Sequence, residues 1–183
     1  MKTINDTKPT QEDKSNDDYK YQPLLTSKLD KLVEDFNQNT INEIVLWKVN
    51  RYVSLETKTI ELINQIKKDD KLNEDLTKEI LCQLLETNGV RLAMASTILR
   101  FRNPKIYQII DQRVYRFIYG KELKYPLTDY KKQIQIYLDY LLKIKNVCEI
   151  HGIEFEKADR ILYSMDKKYN LDETLNGYGL PKR

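Results

Sequence analysis

Apolar residues recur along most of this chain at the three-to-four-residue spacing of one helical face, and nowhere do they alternate long enough to require a strand. Residues 27–38 align Leu29, Leu32, Val33 and Phe36 on one side. Thr40-Ile-Asn-Glu43 has the form of a capping box, in which a hydroxyl and a carboxylate each satisfy a free backbone N–H. The helix it opens carries Ile44, Val45, Trp47 and Val49 toward Val53. Ser54 is placed to cap a third helix with Ile60, Ile63 and Ile66 inward. Further helices are predicted over 73–87, with Leu76, Ile80, Leu84 and Leu85 at helical spacing, and over 90–101 and 112–119. The longest, 128–150, carries a stripe of Tyr130, Ile134, Tyr137, Leu141, Ile144 and Cys148. A last helix over 155–169 presents Phe155, Ala158, Leu162 and Met165. Between these segments fall Pro23, Gly89, Pro104, Gly120, Pro126 and Gly152, the punctuation that helices joined by short turns need.

The fold class is therefore all-α: a compact multi-helix domain over 23–171. A polar tail, 1–22, mixes both charge signs with few apolar residues and is predicted to be disordered. Residues 172–183 form a second tail. Apolar residues make up 40% of the 183, enough for one ordinary core. No apolar run approaches the length of a membrane span, and the N-terminus has no stretch resembling a secretory signal. A cytoplasmic protein with no membrane partner is expected. Cys82 and Cys148 both sit in apolar helical patterns and are expected to be reduced core residues. Two cysteines cannot supply the four thiolates of an iron–sulfur cluster, and the single histidine, His151, argues against a histidine-rich zinc site. No metal and no cofactor is expected.

The net charge of +3 is mild but uneven. From Arg91 to Lys124 there are eight basic residues, Arg91, Arg100, Arg102, Lys105, Arg113, Arg116, Lys121 and Lys124, opposed by Asp111 and Glu122 alone. Such a window points to an anionic partner, phosphate backbone among them. A solvated face paired with acidic helices elsewhere would have the same composition.

The stretch with most chemical content begins where an apolar helix ends at Asn88-Gly89 and a small-residue helix begins at once. Gly89 supplies a positive φ for the turn. Ala93, Ala95 and Ser96 keep the second helix slim, and its first N–H groups are free to meet a phosphate oxygen. The chain then turns at Asn103-Pro104 and runs through Ile109-Ile110 into Asp111-Gln112-Arg113-Val114.

In order and approximate spacing, Gly89-Val90, the alanine-rich helix and Asp111-Gln-Arg-Val resemble the helix-hairpin-helix superfamily of base-excision DNA glycosylases. That superfamily has a Leu-Pro-Gly-Val-Gly hairpin, an alanine-rich helix and a short apolar run ending in an Asp-x-x-Val pattern. The clear likeness covers about forty residues of this chain, which resembles a small bacterial branch of the superfamily. It implies a helix-hairpin-helix element, and a duplex DNA partner with a flipped base. Asp111 would be the catalytic carboxylate. It would stabilise the oxocarbenium-like state formed as a base leaves deoxyribose, and would activate water. The DNA-binding residues implied are Gly89, Val90, Arg91, Arg100, Arg102, Lys105, Arg113 and Arg116. Arg91 stands where the family has its second hairpin glycine. Ala93 lies nearest the position of the lysine that gives bifunctional members their lyase step, so a monofunctional N-glycosylase, a hydrolase excising a modified base, is implied.

Other readings of the same residues stand beside this one. Aspartate before a helix is among the best N-caps, and Gly89 serves equally as an ordinary helix C-cap. Trp47 reads as core, and His151 as a partner of a helix C-terminus. Tyr107, Tyr115, Tyr119 and Tyr125 interleave with the basic window, as in nucleic-acid binding or at a core rim. The alternative functions are a non-catalytic helical DNA-binding module and a protein-interaction module.

Overall fold

The structure is a computed structural model that describes residues 22–33, 35–49, 52–68, 71–170 and 175. The tails predicted over 1–22 and 172–183 lie outside them, Gln22 and Leu175 excepted. Every regular element among the described residues is a helix, as expected: α1 (Pro23–Asp30), α2 (Gln38–Lys48), α3 (Thr57–Asn64), α4 (Glu74–Glu86), α5 (Leu92–Arg102), α6 (Gln112–Tyr119), α7 (Tyr130–His151), a 3-10 turn (Phe155–Lys157) and α8 (Ala158–Tyr169). None is long and apolar enough to cross a membrane. Two compact units result, one up to Tyr52 and one from Val53 onward.

The first unit differs from expectation. Pro23 occupies the first turn of α1, where its missing N–H costs nothing, so the helix starts early and ends at Asp30. Val33 is 96% exposed and Phe36 also lies outside the helix, so the apolar face expected over 27–38 does not form. The cap of α2 is Asn37, not Thr40. Asn37 Oδ1 accepts the Thr40 N–H at 3.1 Å and the Thr40 hydroxyl at 3.3 Å, which puts Thr40 inside the first turn. α1 and α2 are joined by a Lys28–Glu43 ion pair and by the Trp47 indole N–H donating to Thr26 Oγ1 at 2.8 Å.

The second unit holds the core. α4 starts where expected because Asn73 accepts the Leu76 N–H, and Glu74 and Asp75 oppose the positive end of the helix. Ile80, Leu81 and Leu84 from α4, Leu92 and Leu99 from α5, Ile110, and Tyr137 and Ile144 from α7 are all buried. Each aliphatic side chain there contributes about 1.5–3 kcal/mol by leaving water. α4 and α5 pack on each other and each packs on α3 and α7, while α6 meets both α7 and α8. In α3, Ile63 points inward but Ile60 is exposed, buried Ile66 lies just past the end of the helix, and the helix begins after Glu56 rather than at Ser54. Both cysteines are free thiols: Cys148 is buried and Cys82 half-buried.

Gly89 turns the chain between α4 and α5 at φ +85°, where only glycine is unstrained. A Cβ there would meet Val53 Cγ2 at an ordinary 3.7 Å. Gly89→Ala is therefore expected to cost the backbone strain alone, about 1–2 kcal/mol, measurable by urea unfolding. A cost near zero would mean the turn relaxes to negative φ.

Candidate functional site

Between α5 and α6 the chain from Asn103 to Asp111 forms no regular element, yet most of it is buried. Backbone groups in that position must find partners other than water. Side chains supply them. Asn103 donates through Nδ2 to Lys67 O at 2.7 Å and accepts the Lys105 N–H at 3.0 Å. Gln108, fully buried, donates through Nε2 to Pro104 O and Tyr107 O, each at 2.9 Å, and accepts the Asp159 N–H at 3.2 Å. The Tyr137 hydroxyl donates to Gln108 O at 3.0 Å and the Tyr140 hydroxyl to Ile109 O at 2.7 Å. Burial pushes both phenols well above their ordinary range, so they remain donors. Ser96 Oγ accepts the Ile110 N–H at 3.1 Å.

This segment delivers Asp111 to the start of α6. Asp111 Oδ1 accepts the Arg113 N–H at 2.7 Å, the N-cap bond that the sequence allowed. The carboxylate is half-buried, and its second oxygen takes no hydrogen bond from the described residues. Gln112, next in the chain, clamps the loop after α6 from both sides: Nε2 donates to Leu123 O and Oε1 accepts the Leu123 N–H, each at 3.0 Å. Two residues further, Tyr125 lies within electrostatic reach of Arg91. Burial raises its phenol pKa and Arg91 lowers it. One loop thus leads from the carboxylate to the Gly89 turn.

At that turn Gly89 and Arg91 are exposed, while the Val90 side chain is buried in the core. Arg91 is the N-cap residue of α5, and no side chain caps the helix. The first N–H groups of α5 thus take no bond from a capping side chain.

The other basic residues singled out in the sequence are mostly committed internally. Arg100 is buried; it donates to Glu156 O at 2.9 Å and pairs with buried Asp159 at 3.5 Å. Arg102 donates to Ile63 O at 3.2 Å and Asn64 O at 2.8 Å, the last carbonyls of α3. Arg113 and Arg116 converge on Asp166, which is fully buried. Arg113 Nη1 lies 3.2 Å from Oδ2, and Arg116 donates to Oδ1 at 3.0 Å and Oδ2 at 2.7 Å. Burial alone would raise the Asp166 pKa, but hydrogen bonds from Arg116, Asn170 and Arg113 outweigh it and hold the carboxyl below its usual range. Lys105, Lys121 and Lys124 are exposed, Lys124 at 3.7 Å from Glu122. The cations of the window that stay exposed are thus Arg91, Lys105, Lys121 and Lys124.

The residues that position the carboxylate were absent from the sequence-level site: Gln108, Gln112, Ser96, Tyr137, Tyr140 and Asp159. The one signal for them was a glutamine inside the apolar run Ile106-Tyr-Gln-Ile-Ile110, which demands partners if buried. No group of three or more histidine, cysteine, aspartate or glutamate side chains among the described residues is arranged to hold a metal. Comparison with known proteins returns no family, no curated protein and no solved structure that matches the chain.

Proposed function

We propose that this chain binds duplex DNA at the Gly89–Arg91 turn and acts as a monofunctional N-glycosylase, with Asp111 as its carboxylate. The observation that supports this reading best is the state of Asp111: half-buried, with one oxygen held by the Arg113 N–H and the other without a hydrogen bond from the described residues. An oxocarbenium-like sugar is stabilised by a negative charge fixed in advance, because a fixed charge needs no reorganisation as the bond breaks. The second oxygen can take a proton from the attacking water. The uncapped start of α5, with Arg91 beside it, offers N–H groups and positive charge to one phosphate. With Arg100, Arg102, Arg113 and Arg116 engaged inside the fold, DNA contact in this reading falls to Gly89, Arg91 and the exposed Lys105, Lys121 and Lys124 rather than to the whole basic window.

The test is incubation of the protein with duplexes carrying a panel of modified bases, followed by alkaline cleavage of abasic sites. Asp111→Asn is the informative variant, since asparagine caps helices as well as aspartate does. It is expected to keep the fold and DNA affinity while lowering the excision rate about 10²–10⁴-fold. Product from Asp111→Asn equal to that of the unaltered chain would sink the catalytic role. The use of Asp111 as an ordinary helix N-cap favours a second reading, a non-catalytic binding module. It predicts salt-sensitive binding that weakens on charge reversal at Arg91 and Lys121, with no excision of any base. Absence of binding at low salt would remove both.

A further inference from the structure

The α8 sequence, Ala-Asp-Arg-Ile-Leu-Tyr-Ser-Met-Asp-Lys-Lys-Tyr, is nearly balanced in charge, but the fold separates the two signs. Its acids turn inward: Asp159 pairs with Arg100, and Asp166 with Arg113 and Arg116. Its bases, Arg160, Lys167 and Lys168, all face solvent. Along the outer side runs a shallow groove lined by Lys157, Arg160, Ile161, Ser164, Met165 and Lys168. The lining is mainly apolar, with Ile161 and Met165 one helical turn apart on its floor and cations at its rim. Lys157 is paired with Glu154 at 2.6 Å, whereas Arg160 and Lys168 enter no ion pair among the described residues.

We infer that this groove docks an acidic amphipathic helix of a partner protein. A phosphate backbone would use the rim but gain nothing from the floor. A helix with apolar anchors at the same i, i+4 spacing and carboxylates flanking them uses both. Methionine suits such a floor because its unbranched, polarisable side chain adapts to the anchor it meets. The surface is separate from Asp111 and the Gly89 turn, and the inference does not depend on the glycosylase reading.

The probe is a synthetic peptide of about four helical turns, with leucines on one face and glutamates on the other, titrated into the full chain. Two controls accompany it: the same peptide with every leucine replaced by serine, and a duplex DNA. Binding is read by amide chemical shifts and by fluorescence anisotropy. The leucine peptide is expected to shift residues 157–168 and to lose about tenfold or more in affinity in the Arg160→Glu, Lys168→Glu variant. Both positions are exposed, and an unchanged thermal midpoint shows that this variant folds. No shift at 157–168, equal binding of the serine peptide, or displacement of the leucine peptide by the duplex would each overturn the inference. The last two outcomes would reassign the groove to charge alone and to nucleic acid.

Discussion

Asp166→Ala is expected to destabilise the protein by about 3–5 kcal/mol, because it leaves two arginines facing an emptied, uncharged pocket. Alanine removes both oxygens on which Arg113 and Arg116 converge and to which the Asn170 amide donates. The same carboxylate ties α6 to α8, so its loss also loosens the helix that carries Asp111. Urea unfolding followed by circular dichroism measures the effect, and a loss under about 1 kcal/mol would mean that both guanidinium groups find water or new acceptors. The pH dependence follows from the lowered pKa. A carboxyl with a folded-state pKa below its unfolded value, about 3.9, contributes fully above that value and loses its contribution as pH falls through the folded pKa. The unaltered chain should therefore lose stability below about pH 4, and Asp166→Asn should lack that portion of the loss.

Gln108→Leu is expected to cost about 2–4 kcal/mol although leucine is apolar and close in size. The site is fully buried, and the glutamine serves three backbone groups: the carbonyls of Pro104 and Tyr107 and the N–H of Asp159. Leucine strands them in a place water does not reach, at about 1–3 kcal/mol for each group left wholly unpaired. Thermal unfolding should show a midpoint lowered by several degrees. Under the glycosylase reading, excision should fall as well, since the segment that sets Asp111 would shift. A stability change within about 0.5 kcal/mol would show that a neighbouring group takes over all three bonds.

Much of the fold was legible because its signals are local. Asp111 announces the start of α6 through its capping chemistry, the spacing of Leu76, Ile80, Leu84 and Leu85 marks α4, and the Tyr130-to-Cys148 stripe marks α7 almost to the residue. Gly89 was found at a positive φ where the sequence asked for one. The first unit was misread for the same reason in reverse. Leu29, Leu32, Val33 and Phe36 have helical spacing, but Pro23 and Asn37 set the boundaries on either side. The basic window was visible in composition, whereas its use was not. Asp159 and Asp166 sit about fifty to sixty residues beyond the arginines they hold, and no local pattern links positions so far apart. The aspartate cap could be read directly; the tyrosines, serine and glutamine that fix its approach could not, because a polar residue in an apolar run does not name its partner.

The segment from Asn103 to Asp111 also carries a consequence for the order of folding. Its hydrogen-bond partners Tyr137, Tyr140 and Asp159 lie some thirty to fifty positions downstream. Closing loops of that length before any contact rewards them slows assembly. That cost favours an order in which α4 and α5, adjacent in the chain, pair before α7 and α8 fix the connector between Asn103 and Asp111.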